Sequence, residues 1–524
     1  MCTAGRQTGV RQRTTNTVMD QSSVEAGAHV GPGDPRYQAV LDKQFNKRFK
    51  ASPDYVVLAS TTAEVVGAVQ EAVTAGLRVV ATSGGHCLEG FVSDPDVRVI
   101  VDVSPMKAIE FDSARGAIGV GAGATVGETF TALADRWGTV VPLGEYPHIG
   151  MGGHIAGGAF GFLCRELGLA ADYLHAVEVV TVDRNGQAAA VFASAERDDP
   201  NRDLWWAHTG GGAGNFGIVT RYWFRSPDAA GSDPSRLLPR APASVMTFRA
   251  EWEWSAFDRA AFVRLLENHG RWGEAHSGPQ DPGTALWTLL ELHRQPAGKI
   301  VIRGLTTAGA DAEQLIKEHV AAVSAGLPPP HGLEPRALPW LDFALNPFPD
   351  LFGGAPPEGV SSKVKDALLR RRFTARQAET AFDFLTGGRH PGAIGMLGFA
   401  SYGGRVNAAT PDATAAVQRG AIFDMACNTG WVDPAAAEVN LAWVRDFYRA
   451  LFTDTGGVPV PGALYDGSLI NHPDTDHADR SMNTSGVPWS TIYYQDNYPR
   501  LQQIKAKWDP RNVFQHKLSI QPPG

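Results

Sequence analysis

Three glycine-dense tracts in the first half of the chain limit what it can become: Ala81-Thr-Ser-Gly-Gly-His86-Cys-Leu-Glu-Gly90, Pro142-Leu-Gly-Glu-Tyr146-Pro-His-Ile-Gly150-Met-Gly-Gly-His154-Ile-Ala-Gly-Gly158, and Gly210-Gly-Gly-Ala-Gly-Asn-Phe-Gly217. Glycine costs chain entropy, so such clustering makes sense where the backbone must pass close to something. The first tract directly follows a strand pattern, where successive N–H groups can approach a phosphate or a ring edge and hold His86 at the ligand. A glycine turn with an incidental histidine is the plainer alternative. The second tract has six glycines in 144–158, more than ordinary turns need, and reads as a loop wrapped around an extended cofactor. The third contains G-x-G-x-x-G at Gly212, Gly214 and Gly217. A nicotinamide site of the Rossmann type needs a strand before this motif and a helix after it. Here Asp203-Leu-Trp-Trp-Ala precedes and a strand-like run follows, which excludes that site and leaves backbone contact with another dinucleotide open.

Composition narrows the classes further. With 524 residues, 43% hydrophobic and 19% charged, the chain can bury a large core, and about 150 residues per domain suggests two to four domains. A net charge of −8 argues against nucleic acid as the main partner. Cysteines 2, 87, 164 and 427 show no paired spacing, so neither a disulfide framework nor a zinc site is expected. His148 and His154 lack a third ligand at metal spacing, and no metal is expected. No apolar run approaches the roughly 18 residues of a membrane span. The G-x-S-x-G elbow and the Walker loop are both absent. Residues 1–33 read as a disordered or extended tail carrying Arg6, Arg11 and Arg13 with no apolar run behind them, so a cytoplasmic protein is expected.

Periodicity predicts strands at 53–60, 77–80, 98–103, 117–121, 177–183 and 218–224. Thr61-Thr-Ala-Glu64 forms a capping box, Val65, Val69 and Val73 share a helical face, and Gly76 is the stop; with its flanking strands this is a β-α-β unit. A helix fits 125–137. Composition shifts at 225–243. Beyond it, strands are expected at 245–254, 285–292 and 299–304, and helices at 311–325, 374–386 and 435–452. The Pro/Gly-rich stretch 327–360 is long enough to border a substrate cleft. Aromatics at 252–254, 287 and 340–353 are candidates for the cleft wall, although core packing is their commoner fate. The fold class is α+β.

The three tracts in this order, with the ending Ile492-Tyr-Tyr-Gln-Asp-Asn-Tyr498-Pro-Arg through Trp508-Asp-Pro-Arg-Asn-Val-Phe514, resemble the FAD-linked oxidases of the berberine bridge enzyme type, whose FAD domain is shared with p-cresol methylhydroxylase and vanillyl-alcohol oxidase. The resemblance covers about 36–224 and 460–521; between them it rests chiefly on Tyr402-Gly-Gly404. It implies a two-lobed architecture: an FAD-binding domain at 34–224, an antiparallel-sheet substrate domain backed by helices at 225–489, and a C-terminal segment, 490–524, returning to the first. It implies FAD contacts from Thr82, Ser83, Gly84, Gly85, His86 and Cys87; from Tyr146, Ile149, Gly150, Gly152, Gly153, His154, Gly157 and Gly158; from Gly217, Ile218 and Val219; and from Tyr494 and Asn497 near the ring, where ordinary structural hydrogen bonding is the alternative. It also implies a covalent bond from the His86 imidazole, a competent nucleophile, to the flavin 8α-methyl. Many relatives add a second link from a cysteine just before the proline of the second tract. Tyr146 stands there and a phenol cannot form the thioether, so one link, through His86 only, is expected. Cys87 then reads as a small side chain beside the loop.

Sugar-oxidising relatives often carry Y-x-N-Y, with the second tyrosine as base. This chain reads Leu469-Ile-Asn471-His472. An unperturbed imidazole titrates near 6.5 and can serve as base at neutral pH, so His472, Asn471 and Tyr494 are the expected catalytic set; a packing or substrate-binding role for His472 is the alternative. Phe160 stands where some relatives have another tyrosine. Ile149 falls where relatives control oxygen access, which leaves oxidase and dehydrogenase both open. The resemblance implies hydride transfer from an alcohol or C–H site of a glycoside or secondary metabolite to FAD, with O2 as acceptor. A poorly oxygen-reactive dehydrogenase or oxidative cyclase, or a flavin-binding protein without turnover, are the alternatives.

Overall fold

The computed structural model describes residues 27–347, 349 and 357–524. The first predicted unit forms as its signals require. Tyr55–Leu58 (β2) leads into the helix Thr62–Ala75. The Thr61 hydroxyl accepts from the Glu64 amide, the Glu64 carboxylate accepts from the Thr61 amide, and Gly76 ends the helix at φ +66°. The chain returns as Val79–Thr82 (β3), two residues later than expected. β2 and β3 are not neighbours, because Val99–Asp102 (β4) lies between them, parallel to both. Ala28–Val30 (β1) pairs antiparallel with β2, and Val30 is fully buried. The expectation of a tail through residue 33 is therefore corrected for 28–33; the rest of it, 1–26, lies outside the described residues. β1's apolar Val30 was too short a signal for periodicity to register.

A five-stranded sheet follows, in the order Ile109–Asp112 (β5), Ala117–Gly121 (β6), Ile218–Phe224 (β9), Leu174–Val182 (β7), Ala188–Ser194 (β8). The helix Val126–Trp137 is closed by a second capping box, Thr125 with Glu128. One core joins these elements to the C-terminal end, where Leu501, Ile504, Phe514, Leu518 and Ile520 pack with the valines of β4, β6 and β7.

From Ser244 the chain builds a seven-stranded antiparallel sheet: Ser244–Trp252 (β10), Leu286–His293 (β11), Ile300–Thr306 (β12), Arg336–Pro339 (β13), Ser361–Leu369 (β14), Met396–Ser401 (β15) and Phe423–Trp431 (β16), ordered β13-β10-β12-β11-β15-β16-β14. Side chains alternate across a strand. Leu290, Leu292, Leu397, Phe399, Phe423, Met425 and Cys427 bury one face against the helices Arg259–Ala275, Ala312–Val323, Ala375–Thr386 and Ala437–Leu451. The alternate residues are left for the opposite face, where they border a cavity. The helix at 259–275 and the strands 361–369, 396–401 and 423–431 went unread in the sequence. Trp252, Trp254, Trp287 and Trp340 are core residues. No helix among the described residues is long and apolar enough to cross a membrane.

Candidate active site

The loop after β3 is set by backbone contacts. The Ser83 hydroxyl donates to the Ala122 carbonyl at 2.7 Å. A Cβ on Gly84 would lie 2.3 Å from the Gly150 nitrogen, and one on Gly150 would lie 2.2 Å from the Gly84 nitrogen. The first two tracts thus run backbone to backbone, a separation only glycine allows. His86 emerges stacked on Phe45, ring centroids 5.2 Å apart, with Tyr146 at 6.5 Å. Burial, helped by His148, lowers its pKa to about 4, so the imidazole is neutral at pH 7 and keeps a lone pair. Burial instead pushes the Cys87 thiol up to about 11, and its Sγ donates to the Glu89 carbonyl at 2.9 Å; it is a protonated, packed side chain.

In the second tract His154 Nε2 accepts from the Gly144 amide at 2.8 Å. Burial, then the neighbouring His86 and His472, lowers its pKa to about 3, as suits a permanent acceptor. Asn471 reaches across the chain: its Oδ1 accepts from the Ala159 amide at 3.1 Å and its Nδ2 donates to the His154 carbonyl at 3.0 Å. A Cβ on Gly157 would lie 2.4 Å from that amide nitrogen. Asn471 is therefore a clamp on the loop, which places the residue after it, His472. The third tract turns around Asn215, whose Nδ2 donates to the Gly211 carbonyl and whose Oδ1 accepts from the Ile520 amide. It runs into β9, a strand, as the rejection of a Rossmann site required.

All three tracts line one cavity of about 530 Å³, a size typical of ligand pockets. Its opposite wall is the free face of the seven-stranded sheet, with Leu289, Glu291, Met396, Gly398, Ala400, Asp424, Ala426 and Asn428, and its rim includes His472. Of the residues singled out in the sequence, Thr82, Ser83, Gly84, Gly85, His86, Cys87, Tyr146, Ile149, Gly150, Gly152, Gly153, His154, Gly157, Gly217, Ile218, Val219, Asn471 and His472 border it. Three expected residues do not. Tyr494 is fully buried behind the third tract, its hydroxyl donating to the Gly211 carbonyl at 2.9 Å and its ring stacked on Tyr498. Asn497 donates to the carbonyls of Pro411 and Thr414. Gly158 turns away at φ +105°. Tyr494 and Asn497 hold the loops behind the cavity, so the catalytic set loses Tyr494. None of the described residues of 327–360 borders the cavity either; Trp340 and Phe343 pack into the first core.

Phe45 lies outside all three tracts, and Glu145, inside the second, was not among the expected site residues. Burial pushes the Glu145 carboxyl up to about 8, with Asp424 adding to the effect, so the cavity carries a largely protonated acid beside Tyr146. Asp424 Oδ2 lies 3.5 Å from His472 Nδ1, and the Phe160 ring meets the His472 ring edge-on at 5.9 Å. Asp424 was findable: Asp424, Ala426 and Asn428 alternate with Phe423, Met425 and Cys427, a strand pattern with one apolar face.

A cleft walled by glycine backbone on one side and by Val79, Val80, Val103, Ile218 and Val219 elsewhere fits an extended dinucleotide with an apolar ring system. No Lys or Arg is among the described residues that border it, so the backbone amides of the glycine tracts are the donors it could offer a phosphate. A neutral imidazole on that wall and a His–Asp pair on the same cavity fit a flavoprotein oxidoreductase. The family comparison agrees: residues 53–188 match the FAD binding domain model, and 468–521 match the model for berberine and berberine like proteins. The chain belongs to the berberine bridge enzyme-like FAD-linked oxidases. It is 47% identical over 493 residues to the aclacinomycin-N/aclacinomycin-A oxidase of Streptomyces galilaeus, covering 94% of this chain and 89% of that one. It is 29% identical to the hexose oxidase of Chondrus crispus, covering 95% of each. Among solved structures, a glycopeptide hexose oxidase complexed with teicoplanin superposes with a TM-score of 0.90 at 43% identity, covering 94% of this chain and 99% of that one.

Proposed function

We propose that this enzyme carries FAD covalently through His86 alone and oxidises an alcohol or C–H carbon of a sugar-bearing secondary metabolite. When bound, FAD supplies the hydride acceptor and passes the electrons to O2, giving hydrogen peroxide. The observation that carries the reading is the placement of two imidazoles on one cavity: His86 at the glycine wall and His472 beside Asp424 at the rim. His86, neutral and without a hydrogen-bond partner among the described residues, is free to bond carbon. Tyr146 lines the wall where a second attachment would need a thiol. His472, set by the Asn471 clamp, takes the hydroxyl proton as the carbon is oxidised. The sheet face offers Glu291, Asn428 and Thr429 for substrate polar groups and apolar Leu289 and Met396 for a ring system. The relatives named for aclacinomycin, hexose and glycopeptide oxidation support a glycoside of this kind. Ile149, half-buried on the wall, would limit oxygen access, which favours a slow oxidase or dehydrogenase as the second reading; the rate at which reduced flavin regains its yellow colour in air separates the two.

The test is anaerobic stopped-flow reduction with a substrate of the native enzyme. His472→Ala should slow it by about 10²–10⁴-fold, the range for a lost general base. An unchanged rate removes His472 from the mechanism.

A further inference from the structure

Asp366 on β14 and Asp424 on β16 sit diagonally on adjacent strands, since Asp366 pairs in register with Ala426 and Leu368 with Asp424. Their side chains point to the same sheet face. Asp366 is fully buried and Asp424 is 4% exposed. One oxygen of each and one ring nitrogen of His472 lie within 4.8 Å of one another, and His472 Nδ1 is 3.5 Å from Asp424 Oδ2. Asp366 Oδ2 accepts from the Leu469 amide at 3.0 Å. Asp366 Oδ1, Asp424 Oδ1 and His472 Nδ1 have no hydrogen-bond partner among the described residues. No Lys or Arg among the described residues is ion-paired with either carboxylate. The nearby ammonium groups, Lys363 and Lys365, bond Asp474, two residues past His472. The other ionisable neighbours are Glu145, His154, Asp474 itself, the Cys164 thiol and the phenols of Tyr402, Tyr448 and Tyr493, none of them a cation at pH 7. Two buried carboxylates this close cannot both stay ionised without a counter-charge.

Resting on the reading of His472 as base, we propose that Asp366 and Asp424 share one proton, and that the remaining negative charge, facing His472, keeps the imidazole proton on Nδ1 and leaves Nε2 as the basic nitrogen. The chemistry balances. The substrate hydroxyl gives its proton to Nε2, the hydride leaves the same carbon for the flavin, and the imidazolium so formed is neutralised by the single charge of the pair. No proton has to leave the buried site during the step. Burial, with Asp424 adding to it at Asp366 and His472 opposing it at Asp424, holds both acids above the usual carboxylate range, in keeping with one retained proton. Asp424 and Asp366 are positioning residues: they act on substrate only through His472.

The experiment combines nitrogen-15 histidine labelling of the holoenzyme with the pH profile of anaerobic flavin reduction. In the native enzyme His472 should show the Nδ1–H tautomer, its signals assigned by their loss in His472→Gln. Asp424→Asn should abolish that preference, slow reduction by about tenfold or more, and move the ascending low-pH limb of the profile, on which the base loses its proton, to lower pH. Asp366→Asn should do the opposite to the limb, raising it by about one unit, because the whole charge then sits on Asp424 beside the imidazole. A merely structural pair would not move the limb in opposite directions. Shifts in the same direction, or a native tautomer unchanged in Asp424→Asn, would overturn the proposal while leaving His472 as base. One divalent cation per chain, removed by EDTA with loss of the native tautomer, would overturn it in favour of a metal. Native reduction rates in His472→Gln would overturn both readings together.

Discussion

Lys363 does not border the cavity, yet it ties together the two loops that carry the cavity's histidines. Its ammonium bonds Glu89, three residues past His86, and Asp474, two residues past His472, the latter at 2.6 Å. Lys365 bonds Asp474 and Asp476, and Arg445 bonds Asp476 at 2.9 Å. Three cations, Lys363, Lys365 and Arg445, thus face three carboxylates, and Lys363 and Asp474 are at most 1% exposed. Replacing Lys363 with Met keeps the length of the side chain but leaves one buried negative charge without a partner. Breaking a buried pair in this way costs about 3–5 kcal/mol. Glu89→Gln in the same chain removes the surplus charge, so the double variant should recover more than half of that loss. Urea unfolding followed by tryptophan fluorescence reads both, and FAD content per chain reads the consequence for the two histidine loops. A loss below about 1 kcal/mol for Lys363→Met, or a double variant no more stable than the single one, would refute the reasoning: the charges would then be solvated and the cluster would not tie the loops together.

Gly150→Ala should give a folded protein that retains little FAD, because a Cβ there would lie 2.2 Å from the Gly84 nitrogen and from Ser83 Oγ; native flavin-to-protein absorbance in that variant would contradict the packing of the two tracts. Acid should destabilise the chain well above the ordinary carboxylate range. Burial lowers the pKa values of His154 and His269 to about 3 and those of His208 and His477 to about 4. These imidazoles are neutral when folded and charge on unfolding, so below about pH 6.5 the unfolded chain binds more protons and each contributes a loss of up to about 1.4 kcal/mol per pH unit. Asp476 contributes later: burial and the Asp474 charge oppose its ionisation, yet Lys365 and Arg445 hold it at about 2, so its share is lost only as pH falls from the ordinary carboxylate value towards 2. A urea midpoint constant from pH 7 to pH 4.5 would contradict the histidine part.

The glycine tracts were legible because they do one thing, bring backbone close to backbone, and glycine is the one residue that permits it. Their order carries the family resemblance, and through it the two-lobed fold and much of the cavity wall. The capping boxes at Thr61 and Thr125 were equally plain, being local chemistry. Asp424 and Asp366 were missed with the strands that present them, although Phe423–Trp431 alternates in period 2 with one apolar face; nothing local says that the polar face of that strand meets Asp366, 58 positions earlier, in one buried pair. Tyr494 was misplaced for the converse reason. A tyrosine in an ending that resembles the family's reads the same whether its hydroxyl faces substrate or, as here, the Gly211 carbonyl. Phe45 stacks on His86 from 41 positions away, a pairing no local pattern encodes.

The central claim is one covalent flavin, on His86. The purified protein, precipitated in acid and washed, should keep its yellow chromophore in the pellet, and peptide mapping should find the flavin on the peptide holding His86 and none on the peptide holding Tyr146. His86→Ala should release it to the supernatant. Flavin freed from the native protein by acid, or attached at any other residue, would contradict the account.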